Sequence, residues 1–134
     1  MYLHQELTHR IIAAAIEVHK DLGPGLLEAV YRHCLKLEFA THRLKYQTEV
    51  PVPLLYKGEK IDHCFRLDFL VENEIVLELK SIEKVLPVHE AQLLIYLRLS
   101  GKQLGLLLNF NVPILKSGIH RCIASHHNTS VKCN

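Results

Sequence analysis

The chain has 134 residues, 49% of them hydrophobic, and its 16 Lys and Arg stand against 14 Asp and Glu for a formal net charge of +2. That length holds one domain with a sizeable core and excludes two, since a chain of this size buries about two-thirds of its unfolded surface. The faint basic excess permits a nucleic-acid partner without arguing for one, and no block of like charge marks an interaction tail.

Residues 1–7 show no basic segment leading into an apolar stretch, so no signal peptide is expected. No apolar run approaches the ~18 residues needed to span a bilayer, so no membrane association is expected. Thr8 can cap a first helix that runs to about Lys20, with Leu7, Ile11, Ala15, Val18 and Leu22 on its apolar face. Gly23-Pro24-Gly25 ends it. A second helix is expected from about Leu26 to His42, its stripe carried by Leu27, Val30, Cys34, Leu37 and Leu44.

The period then changes. Val50, Val52, Leu54 and Tyr56 alternate as in a strand, and Pro51 and Pro53 between them confine that strand to a sheet edge. Lys57-Gly58-Glu59 is a turn, so the strand from about Ile61 to Val71 is its antiparallel partner. Glu72-Asn73-Glu74 is a second tight turn, leading to a third strand, Ile75 to Ile82. Pro87 opens a third helix that Gly101 closes. Leu104 to Phe110 is nearly continuous in apolar residues, as in a strand buried on both faces, and Ile119 to Ala124 is a shorter strand. Residues 125–134 read as a polar, frayed tail that includes His126 and His127. The order ααβββαββ describes one α/β (α+β) domain over residues 1–124, a mixed sheet flanked by helices.

Four cysteines, Cys34, Cys64, Cys122 and Cys133, form no C-x-x-C pair, which argues against a zinc ribbon or a redox motif. Three of them fall in predicted helices or strands as small apolar residues, and a reducing, cytoplasmic compartment is expected. Ten histidines are many, yet none shows the H-x-x-x-H spacing of a zinc helix.

Chemistry concentrates in Arg66-Leu67-Asp68-Phe69-Leu70-Val71 and in Val76-Leu77-Glu78-Leu79-Lys80. Asp68 interrupts one apolar strand; Glu78 and Lys80 interrupt the next. Residues two apart on a strand share a face, so Glu78 and Lys80 project together, and the tight turn brings Asp68 alongside. Three charges on adjacent apolar strands are costly unless they pair or hold a metal. Mg²⁺ (or Mn²⁺) accepts such oxygen ligands with a backbone carbonyl and water, polarises a phosphoryl oxygen, and leaves Lys80 to orient water or offset developing charge. The plain alternative is a Glu78–Lys80 ion pair with Asp68 on a solvated face.

The arrangement Asp68…Glu78-Leu79-Lys80 resembles the PD-(D/E)XK nuclease superfamily, and Gly25-Leu26-Leu27-Glu28-Ala29-Val30-Tyr31 resembles the signature of its GxxExxY protein family. The resemblance spans about Leu7 to Ala124; the superfamily's usual proline is replaced by Leu67 before Asp68. It implies a restriction-endonuclease-like αβββαβ core, Asp68 and Glu78 as metal ligands, Lys80 as the catalytic lysine, and Glu28 near the site as a further ligand. From the residues alone, Glu28 is a charge favoured in a first helical turn, and Tyr31, on the same face, is as well explained by core packing with its hydroxyl at the rim. Gln92 and Tyr96, i and i+4 on the third helix, resemble a Q-x-x-x-Y element that lines the site in some nucleases, Gln92 in support of catalysis; His89 reads as a surface histidine.

The resulting expectation is a Mg²⁺-dependent nuclease hydrolysing nucleic-acid phosphodiester bonds, in DNA or RNA. The alternatives are a catalytically silent nucleic-acid-binding module, with Arg32, Lys36, Arg43 and Lys45 as a modest basic patch, and a protein-interaction module. The proline-containing edge and the apolar first helix offer a face for a homodimer.

Overall fold

A computed structural model describes residues 4–124 and 131–133, the side chains of His63 and Cys64 and of 131–133 excepted. Along the chain the elements are α1 (Gln5–Leu22), α2 (Glu28–Thr41), β1 (Tyr46–Tyr56), β2 (Glu59–Val71), β3 (Ile75–Lys80), α3 (Pro87–Ser100), β4 (Leu104–Asn109), a 3-10 turn (Leu115–Gly118), β5 (Ile119–Ala124) and β6 (Val131–Cys133). The strands form one sheet in the order β1-β2-β3-β4-β5-β6. β1, β2 and β3 are the expected antiparallel meander, with the proline-bearing β1 at the edge. The α3 crossover makes β3 and β4 parallel, and the remaining pairs are antiparallel.

Each face of the sheet carries its own core. On one side, Phe69, Val71, Ile75, Leu77, Leu79, Leu106 and Leu108 pack under α1 and α2. On the other, Leu67, Leu70, Val76 and Leu107 pack under Leu93, Tyr96 and Leu97 of α3. Sheet faces alternate along a strand, so β3 and β4, buried throughout except at Lys80, feed both cores.

Several expectations need correction. Thr8 does not cap α1: it lies one turn inside, buried, and its hydroxyl donates to His4 O at 2.8 Å. α2 turns Tyr31, Leu35 and Phe39 inward and leaves Leu27 77% and Leu37 60% exposed; of the expected stripe, Leu44 is buried and Cys34 packs against the core. Two stripes competed on this helix, and the one with two aromatic rings buries more apolar area: Tyr31 stacks on Phe110 and Phe39 packs edge-on against Phe69. Residues 131–133 are not frayed tail but a strand on β5; 125–130, with His126 and His127, lie outside the described residues. Cys34 is free and packs against the first core, and Cys122 is buried in the second, as expected of small apolar residues; Cys122 is also disulfide-bonded, which is not what the expected reducing compartment implies.

Candidate active site

The β2–β3 ladder runs from Val71↔Ile75 through Leu70↔Val76 to Phe69↔Leu77 and stops there. Beyond that point β2 stays with β1 (Val50↔Leu67, Pro51↔Arg66), while β3 stays with β4 as far as Lys80↔Asn109. The sheet therefore splits, and Asp68 and Glu78, opposite each other at the next register position, stand at the fork. Their carboxylates replace the missing ladder. Asp68 N donates to Glu78 Oε1 at 3.3 Å, and Leu79 N donates to Asp68 Oδ2 at 2.8 Å.

The fork also admits α2. Arg32 Nη2 donates to Glu28 Oε1 at 3.0 Å and reaches Asp68 Oδ1 at 3.4 Å, so Glu28, Arg32 and Asp68 form one ionic chain. Lys80 is close enough for its charge to act on both Glu28 and Glu78. From the α3 side, Gln92 Nε2 donates to Tyr96 Oη at 3.0 Å. Tyr96 in turn senses the carboxylates of Glu78 and Asp68.

The electrostatics follow from that crowding. Glu78 is nearly buried, and burial first, then the charge of Asp68, pushes its carboxyl up to about 8; the hydrogen bond from Asp68 N and the charge of Lys80 pull the other way. Glu28 is raised by burial and then by Asp68, with Lys80 and Arg32 opposing. Tyr96 is raised to about 12 by burial and then by the two carboxylates, so it stays a neutral hydroxyl.

Asp68, Glu78, Lys80 and Glu28 are thus brought together, with Gln92 and Tyr96 at one border. Tyr31 is not. Its ring is fully buried against Phe110, and its hydroxyl donates to Gly23 O and accepts from Leu26 N, tying the Gly23-Pro24-Gly25 turn to α2. His89 serves the start of α3, where its Nδ1 accepts from Leu86 N at 2.8 Å. Three participants escaped sequence reasoning. Arg32 stands at the fork and not in a basic surface patch, and its i+4 spacing from Glu28 is the readable signal. Asn109, buried, holds Ile82 at both its N–H and its C=O and so fixes the chain just beyond Lys80. Ser81 donates to Leu26 O, closing the same end of the site against the α1–α2 turn. Neither of the last two follows from local pattern, because their partners lie 27 and 55 residues away.

Among the described residues no three His, Cys, Asp or Glu side chains converge in a metal-ligating group. The donor set still fits a hard divalent ion that uses one or two carboxylates and fills its remaining positions with water. Two carboxylates stand together at the fork with Arg32 and Lys80 as the positive charges beside them, and a divalent ion would add to that charge.

A family model described as the PD-(D/E)XK nuclease superfamily matches residues 5–122. The six-stranded mixed sheet flanked by helices is consistent with the restriction-endonuclease-like fold of that superfamily. No curated protein and no solved structure matches the chain.

Proposed function

The chain belongs to the PD-(D/E)XK nuclease superfamily, and we propose that it is a Mg²⁺- or Mn²⁺-dependent nuclease of the GxxExxY branch that hydrolyses phosphodiester bonds in DNA or RNA. The branch assignment rests on Gly25, Glu28 and Tyr31 at the signature spacing. The observation that carries the activity is the splitting of β2 from β3 where two carboxylates and a lysine stand on neighbouring strands.

In this reading Asp68 and Glu78 hold the cation, with Glu28 adding negative charge from α2. The ion supplies Lewis-acid activation of water and of the phosphoryl group. Lys80 lies beside Glu78 on the same strand face; its ammonium orients the attacking water and offsets charge that develops on the phosphoryl oxygens. Tyr96, protonated at all working pH values, accepts from Gln92 and keeps its own proton to donate toward the carboxylates or the substrate. Asn109 and Ser81 hold the strand end that carries Lys80, which limits its wandering in the substrate-free protein.

The net charge of +2 offers little general attraction to a polyanion. Nucleic-acid binding is therefore expected to be modest and to weaken with salt. Among the described residues no helix is long and apolar enough to cross a membrane. The activity is tested by incubating the protein with Mn²⁺ and labelled single- and double-stranded DNA and RNA. Cleavage that disappears with EDTA and in Glu78→Gln supports the reading; no cleavage of any of the four substrates by a folded preparation contradicts it.

A further inference from the structure

Arg32 is placed oddly for a guanidinium. Such groups usually meet a carboxylate with two parallel donors, but here a single nitrogen, Nη2, is divided between Glu28 Oε1 at 3.0 Å and Asp68 Oδ1 at 3.4 Å. Its Nε is buried and has no hydrogen-bond partner among the described residues. A fork bent away from its best geometry, with one donor left unsatisfied, is a costly arrangement. The compensation is local charge. Glu28, Asp68 and Glu78 crowd one end of the sheet, and among the described residues Arg32 and Lys80 oppose them.

We propose, resting on the metal reading above, that Arg32 is the internal counter-ion of the metal-free site: its guanidinium holds Asp68 while no cation is bound, and a divalent ion between Asp68 and Glu78 enters by taking Asp68 from it. The atoms assign the exchange. Asp68 Oδ2 is committed to Leu79 N at 2.8 Å, so Oδ1 is the oxygen that changes partner. Arginine keeps its charge at every working pH, so the exchange proceeds by displacement and not by loss of a proton. Glu28, one helical turn before Arg32, retains the displaced guanidinium beside the site. Arg32 is in this sense a positioning residue. It bridges and partly neutralises Glu28 and Asp68 without metal, at the cost of weaker metal binding.

The test is calorimetric titration of Mn²⁺ into wild-type protein, Arg32→Met, Arg32→Lys and Lys36→Met, with melting curves for each with and without Mn²⁺. Lys36→Met removes the same charge one turn further along α2, where no contact with Glu28 or Asp68 exists. Arg32→Met is expected to bind Mn²⁺ about fivefold more tightly, the scale of the one part-exposed ion pair that metal entry breaks, while Lys36→Met stays within about twofold of wild type. Arg32→Met is also expected to melt lower than wild type without metal and to gain more from Mn²⁺, with Arg32→Lys between the two. Equal or weaker binding by Arg32→Met overturns the proposal, as does equal tightening in Lys36→Met, which would reduce the effect to diffuse charge. If wild type and variants alike take no Mn²⁺, the metal reading falls and this proposal with it; Mn²⁺ binding by wild type that Arg32→Met leaves unchanged defeats the counter-ion assignment alone.

Discussion

Asp68 and Glu78 stand opposite each other at the first position where β2 and β3 no longer pair, and each strand's backbone N–H at that fork is taken by the other strand's carboxylate. The same departure from regular sheet satisfies the orphaned backbone donors and gathers the negative charge. A continuous ladder would have sent the two strands past each other without an opening for α2.

Glu78 links this geometry to pH. Its carboxyl is held up to about 8 by burial and by Asp68, whereas in the unfolded chain it ionises near its ordinary value of 4.5. Between those values the folded protein keeps a proton that the unfolded chain has lost, so unfolding releases a proton and rising pH favours it. The metal-free protein is expected to lose stability as pH rises from about 5 to about 8, and Glu78→Gln to remove most of that slope. At pH 8 without metal the variant should melt roughly 5 °C above wild type, which scanning calorimetry reads.

The same proton opposes the cation. Below about pH 8 a divalent ion on Glu78 has to displace it, so Mn²⁺ affinity should rise about tenfold per pH unit from pH 6 upward and level off near 8. Titration in buffers of different ionisation heat should show about one proton released per Mn²⁺ at pH 7. A flat affinity over this range would separate Glu78 from metal binding.

Lys80 is expected to divide binding from turnover. Lys80→Ala should lower the rate of cleavage by about 10²–10³-fold, the scale for removing one donor from developing charge, while Mn²⁺ binding is kept or slightly tightened. Single-turnover rates at saturating Mn²⁺ provide the reading.

Tyr31 and Tyr96 should behave differently under the same change. Tyr31→Phe removes a hydroxyl that ties Gly23 to Leu26 and should cost about 1 kcal/mol of stability, with cleavage per folded molecule little altered. Tyr96→Phe removes a hydroxyl beside the carboxylates and should slow cleavage at least about tenfold with a small effect on melting. Parallel melting curves and cleavage rates distinguish the two.

Gly118 tests the framework behind the site. A Cβ there would lie 2.1 Å from the backbone oxygen of Asn109, the residue that holds the chain after Lys80. Gly118→Ala is expected to destabilise the protein by about 2 kcal/mol or more through displaced backbone, visible as a lower midpoint in urea.

Much of this was legible from residue order because it rests on short-range pattern. Alternation and turn chemistry gave the meander, the prolines gave the edge, and Pro87 and Gly101 framed α3 within a residue. The co-location of Asp68, Glu78 and Lys80 followed from strand parity and one tight turn. What pattern could not decide was α2, where both Leu27-Val30-Cys34-Leu37 and Tyr31-Leu35-Phe39 have helical spacing. Only the presence of Phe69 and Phe110 on the facing strands, distant in sequence, selects the second stripe. That rotation places Tyr31 in the core and aims Glu28 and Arg32 at the fork, so the error over the stripe and the neglect of Arg32 share one cause. Asn109 and Ser81 were unreadable for the same reason, their roles being set by partners far along the chain.

The proposed chemistry requires one divalent ion shared by the two carboxylates at the fork. A crystal structure of the protein with Mn²⁺, read by the anomalous signal of the metal, tests it directly. A single strong peak is expected between Asp68 and Glu78, with an oxygen of each bound to it and Arg32 withdrawn from Asp68. A peak at another place, or density at the fork with only one of the two carboxylates attached, would contradict it.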